Sequence, residues 1–457
     1  MRPYLFILAI SLCCPLPGGE KEKFKRPELI IDERFTIELA AAPPLVEHPM
    51  LATLDPQGRM FISESDGQNL QKAELLKQRP RFVRMLEDTD RDGVFDKSTI
   101  FADKMVMPEG ALWHQGALYI ISSPYLWRLE DTDGDGVADR RDKIMGYMEF
   151  DGRANQHGPW LGPNGLLYFT GGIFGYDLVG TDGVHAAKGT SAGVFSCRTD
   201  GSDIRVVCHA GINPVELAFT PWGDMLGTCA IFDSVGGRHD SLSHWIHGGQ
   251  YGPKDYGSTR EGTASLKRTG YRLGTVVRWG QVAPAGLLRY RGEHLGKEYR
   301  GDYFSCHFNT HAVHRSTLLP TGSTFGARDE VFLRSPSIDF HPTDVMEDHD
   351  GSLLVIDTGG WLSWGCPTSK LAKPQLLGSI YRIRRKNGAK TTDPLGVKVD
   401  WKGASHATLA RLLADQRPLI RDRAREALAA RGQEAGPAVI AFLAKSKVPE
   451  DRARAVW

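Results

Sequence analysis

The chain has little cysteine, no surplus of either charge, and no long apolar run beyond its first residues. Each scarcity removes a class of protein. Of seven cysteines in 457 residues, Cys13 and Cys14 sit in an N-terminal apolar stretch. The five that remain, Cys197, Cys208, Cys229, Cys306 and Cys366, form no C-x-x-C or C-x-x-C-H spacing, which excludes a covalent haem site in this chain. Their odd number forbids complete pairing, although an exported protein could form one or two disulfides. Fifty-six Lys and Arg against 55 Asp and Glu argue against a dedicated nucleic-acid binder, which carries a basic footprint. No later segment has the length and apolarity of a transmembrane span.

What is present points elsewhere. The 51 glycines and the spread of aromatic residues favour turn-rich β structure before residue 400. MRPYLFILAISLCCPLPGG has one early positive charge at Arg2, an apolar core from Tyr4 to Leu16 and a small-residue zone at Gly18-Gly19. This is a signal-peptide pattern over residues 1–19, predicting a periplasmic or secreted protein. Its apolar core is too short to span a bilayer, so the competing reading is an uncleaved interfacial anchor.

Six β-type runs follow D/N/G-rich turns: GRMFISES (58–65), GALYIISS (116–123), NGLLYFTGG (164–172), GDMLGTCAIF (223–232), GDYFSCHF (301–308) and GSLLVIDTGG (351–360). Six hairpins over 34–385 predict a mainly β, six-bladed propeller, given four strands per blade. RFTIELA (34–40) is expected to pair with GSIYRIR (378–384) and close the ring, removing exposed sheet edges. Two stacked β-sandwiches are the alternative. Residues 386–405 read as a linker. Residues 406–457 are rich in Ala, Leu and Arg at helical spacing, with DRARE (422–426) recurring as DRARA (451–455). That offset suits short HEAT-like repeats, which are expected to continue past Trp457 because one repeat cannot bury its own apolar face.

An acidic loop occurs twice, as EDTDRDGVFD (87–96) and EDTDGDGVAD (130–139), 43 residues apart. In each, D-x-D-x-D-G-x-x-D matches the ligand spacing of a Ca²⁺ loop. Asp88, Asp90, Asp92, the Val94 carbonyl and Asp96 are the first set. Asp131, Asp133, Asp135, the Val137 carbonyl, Asp139 and, at the twelfth position, Asp142 are the second. The first loop has Thr99 at that position, so the second is expected to bind more tightly. Crowded carboxylates repel unless a cation neutralises them. Strand-like flanks place these loops in β-hairpins, with a structural role. The plain alternative is a solvated acidic turn.

Three segments offer chemistry for a channel mouth. NQHGPWLGPNGLLYFTGG (155–172) presents His157, a possible base near neutral pH or a structural hydrogen-bonder. GINPVELAFTPWGDML (211–226) presents Asn213, held extended by Pro214. CHFNTHAVHR (306–315) alternates His307, Asn309 and His311 on one strand face, with His314 close by, as a metal cluster or a polar wall. HDSLSHWIH (239–247) has the same ambiguity.

The first two segments, with GGQYG at 248–252, resemble the soluble quinoprotein glucose/sorbosone dehydrogenases, six-bladed propellers that use pyrroloquinoline quinone (PQQ) and Ca²⁺. The EDTDxDG loops, YRGDYFSCHFNTHAVHR and FHPTDVMEDHDGSLLVIDTGGW (340–361) are similar to exported proteins of the PVC bacterial group named as membrane-bound dehydrogenases, propellers followed by HEAT repeats and often a cytochrome c module. The resemblance, over about 34–457, implies oxidation of a sugar or alcohol hydroxyl, with electrons passing to a cytochrome c. By position, His157 matches the base and Asn213 a cofactor-binding amide. Ile212 stands where the quinoproteins place an Arg, and Phe340-His341-Pro342-Thr343-Asp344 replaces a closely spaced Arg pair. The carboxylates of PQQ need cationic donors. Of Arg238, Arg260, Arg315 and Arg334, Arg315 is assigned with Asn213 to cofactor binding. Two other functions stay open: a non-catalytic cell-envelope propeller that binds glycan or protein, and a metal-dependent lactonase-type hydrolase using His307, His311 and His314.

Overall fold

The computed structural model describes residues 24–150, 156–230, 239–251, 274–362 and 373–457. The signal-peptide stretch, Arg238, Arg260 and Cys366 lie outside the described residues.

Six sheets form in succession along the chain. Blade 1 comprises Pro49–Leu54, Met60–Glu64, Arg81–Glu87 and Lys97–Met105. Blade 2 comprises Leu112–His114, Ala117–Ser122, Tyr125–Glu130 and Arg140–Met148. Blade 3 comprises Gln156–Leu161, Leu167–Gly171, Gly193–Cys197 and Arg205–His209. Blade 4 comprises Asn213–Phe219, Met225–Ala230, Ser241–Trp245 and Val277–Arg278. Blade 5 comprises Pro284–Arg289, Tyr303–His307, Ala312–Thr321 and Thr324–Arg334. Blade 6 comprises Pro342–Glu347, Leu353–Asp357 and Ser379–Arg385, completed by Phe35–Ala41 from the N-terminal side. This is a mainly β, six-bladed propeller.

All six runs named from the sequence form the second strands of their blades. Each follows a turn whose glycine has positive φ: Gly58, Gly116, Gly165, Gly223, Gly301 and Gly351, between +77° and +94°. Only glycine adopts that backbone without strain. Five of the strands are buried at every position, and Met225–Ala230 at all but its last, which explains why they read as continuous apolar runs. The ring closes as expected: Phe35 pairs with Arg385, Ile37 with Ile383 and Leu39 with Tyr381. Phe35–Ala41 thereby becomes the outer strand of blade 6 and ties the two ends of the ring together.

Two additions extend the plain blades. Tyr176–Gly180 and His185–Gly189 leave the chain inside blade 3 but pair onto the outer strand of blade 2, making a six-stranded sheet. Ile30–Ile31 adds to the outer edge of blade 5 through Arg334 and Leu333.

Beyond the propeller, residues 386–405 run through turns, and a short helical region follows: His406–Leu412, Pro418–Ala430, Gly436–Lys445 and Pro449–Val456, with a 3-10 turn at Gly432–Ala435. Ser405 caps the first helix by accepting the Thr408 N–H at 3.2 Å. These helices lie across one end of the propeller axis. Asp422 takes Arg291 at 2.7 Å, Glu426 takes His114 at 3.1 Å, Glu450 takes Arg300 at 3.0 Å, and Trp457 Nε1 donates to the Pro221 carbonyl at 3.2 Å. A cavity of about 720 Å³ between them is lined by residues of all six first strands, including Thr53, Trp113, Trp160, Phe219, Arg289 and Glu347. The first strands therefore surround the axis, and the helices cover the end where those strands finish. None of the described helices is long and apolar enough to cross a membrane.

Candidate active site at the channel mouth

The opposite end of the channel is where the first strands begin. His157 stands second in Gln156–Leu161, and Asn213 is the first residue of Asn213–Phe219, so adjacent blades bring both to the same mouth. Trp160 on the first strand donates from Nε1 to Glu216 on the second at 3.0 Å, tying the two strands side by side. His157 is buried with neither ring nitrogen hydrogen-bonded, and the Asn213 Oδ1 has no partner either. A buried polar atom left unpaired is costly, and such atoms gather at working sites.

Glu109, which the sequence did not single out, stands beside His157. Its Oε2 lies 3.7 Å from His157 Nδ1. The backbone fixes this approach, because Gly158 N donates to the Glu109 carbonyl at 3.0 Å. Gly110, at φ +108°, meets Gly158 so closely that a β-carbon would lie 2.6 Å from the Gly158 oxygen. On its other side, Glu109 Oε1 is 3.9 Å from Nη1 of Arg81, the first residue of the third strand of blade 1. Arg81 lies over the Trp361 ring at 4.9 Å.

Burial dominates the protonation of this mouth and channel. It lowers His157 to about 4, holding the imidazole neutral and able to accept a proton. It raises Glu109 to about 7 despite the opposing charge of Arg81. With Glu109 proton-bound up to that point, the imidazole gains no ionic partner from it. Farther along the first strands, Glu216 is raised well above the usual carboxylate range by burial and by Asp344, and burial raises Asp344 to about 7; burial also raises Asp357, at the end of the second strand of blade 6, to about 7. Asp344 also ties blades 6 and 1, accepting the Ala52 N–H at 2.9 Å.

Arg315 is not at this mouth. It lies on the third strand of blade 5, over the Tyr299 ring at 4.0 Å, and each of its nitrogens is engaged: Nε with Asp302 at 2.5 Å, Nη1 with Glu330 at 3.0 Å and Nη2 with the Glu298 carbonyl at 2.8 Å. Its donors are spent on neighbouring acids, which corrects its assignment to cofactor binding.

The histidine alternation also fails locally. The strand ends at His307, Phe308–Thr310 is a 3-10 turn, and His311 has φ +55°, so the three do not share a strand face. His307 stacks on His314 at 4.0 Å, and His314 is held by Asp329 at 2.8 Å. His311 instead meets the Phe340 carbonyl at 2.7 Å. Among the described residues, the clusters able to hold a metal are the two acidic triads and not these histidines. In 239–247, His239 and His244 are buried while His247 is exposed.

Each acidic loop joins the third and fourth strands of its blade, in blades 1 and 2. Carboxylate oxygens of Asp88, Asp90 and Asp92 lie within 4.8 Å of one another, as do those of Asp131, Asp133 and Asp135. The two loops share a frame. Asp88 accepts the Gly93 N–H at 2.9 Å and Asp131 the Gly136 N–H at 3.0 Å; Asp92 accepts Val94 N–H at 2.7 Å and Asp135 accepts Val137 N–H at 2.8 Å. Asp96 and Asp139 are drawn to Thr89 and Thr132. Asp142 lies on the following strand, paired with Arg140 at 2.8 Å, outside the triad. The geometric reason for a tighter second site is therefore missing. The triads fit a hard divalent cation with oxygen ligands.

Cys197, Cys208, Cys229 and Cys306 are buried free thiols, and burial pushes all four up, away from nucleophilic use.

The model of a protein family described as a domain of unknown function (DUF7133) matches residues 22–361. No curated protein matches the sequence. Among solved structures, the chain is similar to the holo form of the pyranose dehydrogenase PQQ domain from Coprinopsis cinerea, with TM-score 0.54, 12% identity, and 81% of this chain and 99% of that chain covered. It is also similar to the PQQ-bound aldose sugar dehydrogenase from Streptomyces coelicolor, with TM-score 0.52, 12% identity and coverages of 78% and 100%. A third is the calcium structure of a Trichoderma reesei carbohydrate-active enzyme of family AA12, with TM-score 0.53, 12% identity and coverages of 80% and 99%. At these identities the likeness shows the fold.

Proposed function

The chain belongs to the DUF7133 family, whose description assigns no activity, and we propose that its propeller is an exported dehydrogenase acting on a sugar or alcohol hydroxyl with PQQ. The observation that carries this reading is His157: a buried imidazole, held neutral, with both ring nitrogens free of hydrogen bonds, at the channel mouth not covered by the C-terminal helices.

The described residues fit the cofactor in part. Asn213 offers an unpartnered amide oxygen and Arg81 two unpartnered donors, Nε and Nη1, while Ile212 and 340–344 offer no further cation, because burial lowers His341 to about 4. PQQ, when bound, would supply the hydride acceptor. The chain's own part is to receive the substrate hydroxyl proton on a ring nitrogen of His157, to orient the ligand through Asn213, and to keep water from the buried mouth. Glu109, with Oε2 3.7 Å from His157 Nδ1, is the carboxyl placed to take that proton onward once it ionises near pH 7. Electrons would leave to a cytochrome c partner. Ca²⁺ at Asp88, Asp90 and Asp92, and at Asp131, Asp133 and Asp135, would brace the hairpins of adjacent blades, with the Val94 and Val137 carbonyls and Asp96 and Asp139 completing the shells. The two DRAR-bearing helices support reading the C-terminal region as HEAT-like.

A second reading, a non-catalytic binding propeller, is favoured by one observation: the mouth and the channel strands hold the buried carboxyls Glu109, Glu216 and Asp344 against few cations. The test between them is direct. The exported chain, supplied with Ca²⁺ and PQQ, is assayed for artificial-dye reduction with a panel of neutral sugars and alcohols. Substrate-dependent reduction supports the dehydrogenase. Full cofactor binding with no reduction on any substrate overturns it in favour of the binding module.

A further inference from the structure

We infer that Arg81 is the anchor for a carboxylate on the ligand that occupies the His157 mouth. The inference rests on the reading of that mouth as the active site and adds to it the charge of what it holds.

Arg81 is 2% exposed, and its Nε and Nη1 have no hydrogen-bond partner. The other fully buried arginine of the propeller, Arg382, is spent, and so is the half-buried Arg84. Arg84 bonds Glu64 and Ser98, and Arg382 bonds Asp348, Ser352 and the Gly93 carbonyl. The nearest carboxylate to Arg81 belongs to Glu109, at 3.9 Å, which is beyond hydrogen-bond reach. Glu109 is moreover held proton-bound up to about 7 by burial, so it compensates the guanidinium poorly. Proteins rarely bury an arginine without pairing it, because desolvating the charge is costly.

The geometry indicates what would pair it. Trp361 lies against the guanidinium at 4.9 Å, and its own Nε1 is committed to Thr358 Oγ1 at 2.8 Å. The unpartnered Nε and Nη1 donors lie at the rim of the guanidinium, and such donors suit a planar acceptor with two oxygens. A carboxylate is such an acceptor. Glu109 stands between Arg81 and His157, one oxygen toward each. A ligand carboxylate held at Arg81 would thus place the rest of the ligand toward the base. This cation comes from the third strand of blade 1, a blade with no part in the sequence-level assignment of the site.

A carboxylate could belong to the cofactor or to an acidic sugar. The test uses the full exported chain with Ca²⁺ and three probes, PQQ, galacturonate and the neutral sugar galactose. Binding is read by tryptophan fluorescence titration and by thermal melting. The wild type is expected to bind PQQ or galacturonate more tightly than galactose. Arg81→Met is expected to weaken that binding at least tenfold and to leave galactose unchanged; Arg81→Lys, keeping the charge without the fork, should fall between. Response to PQQ alone assigns the carboxylate to the cofactor, and response to galacturonate alone assigns it to the substrate. Without ligand, Arg81→Met should melt at or above the wild-type temperature, because it removes a poorly compensated buried charge. A lower melting point for ligand-free Arg81→Met would show that Arg81 serves the fold and would overturn the inference. So would Arg81→Met binding PQQ and galacturonate at full strength, or a wild type that binds neither. Should Arg81→Met not fold at all, that too counts for a structural role unless Arg81→Lys folds and shows the binding loss. Carboxylate binding lost in Arg81→Met, with no dye reduction by the wild type, removes the dehydrogenase reading and keeps this one. Dye reduction with PQQ binding indifferent to Arg81 does the reverse.

Discussion

Glu109 Oε2 stands 3.7 Å from His157 Nδ1, and the two reach each other from different blades. The acid belongs to the segment leading into the first strand of blade 2, and the imidazole to the first strand of blade 3. The pairing gives the mouth two groups that burial moves in opposite directions, Glu109 up to about 7 and His157 down to about 4. Near neutral pH one is about to lose a proton and the other is free to take one.

That opposition fixes a pH-dependent stability test. Glu109 binds its proton more tightly folded than unfolded, where its value is near 4.5. Its contribution to stability is therefore fully present below pH 4.5 and is lost as pH rises through 7. His157 runs the other way: its contribution is present above 6.5 and is lost as pH falls through 4. Glu109→Gln keeps the neutral shape and removes the ionisation. It should raise stability at pH 8 by up to about 3 kcal/mol and change little at pH 4.5. Denaturant melts at the two values check this; equal effects would contradict it.

The close approach that carries Glu109 to His157 depends on Gly110. A side chain there faces both the positive φ and the Gly158 oxygen. Gly110→Ala should cost at least about 2 kcal/mol in denaturant unfolding, the scale of one strained residue plus a backbone clash. An unchanged midpoint would show that the two segments part without penalty.

Removing divalent cation should lower the melting temperature. Three carboxylates within 4.8 Å in each of two loops repel when nothing neutralises them. Asp90→Asn and Asp133→Asn, made together, should reduce the difference between Ca²⁺ and chelator melts. Because Asp142 is paired with Arg140, Asp142→Asn should leave that difference unchanged. Identical wild-type melts with and without chelator would remove structural Ca²⁺.

How much of this was legible in the sequence follows from what each residue contacts. The blades were legible because one local device repeats: a glycine at positive φ before a buried strand, as at Gly58, Gly223 and Gly351. Ring closure was legible because Phe35–Ala41 and Ser379–Arg385 are both strand-like at the two ends of the ring. The hairpin Tyr176–Gly189 was not, since it leaves blade 3 and pairs with blade 2, a choice no local pattern encodes. His157 and Asn213 could be seen in their segments. Glu109 and Arg81 could not, because one precedes an inner strand, the other begins a third strand, and only the closed ring brings them beside His157. Their one sequence signal was a charged residue flanking apolar runs, which usually means a solvated turn. Arg315 shows the converse: its segment carried the resemblance, yet its own neighbours, Asp302 and Glu330, consume it.

The most direct test is the turnover of His157→Ala in the Ca²⁺- and PQQ-supplied protein, on whichever hydroxyl substrate the wild type oxidises. His157→Ala should bind PQQ within about threefold of wild type and turn over with a kcat at least about 100-fold lower, the usual weight of a positioned base. A variant that reduces dye at the wild-type rate would contradict that role.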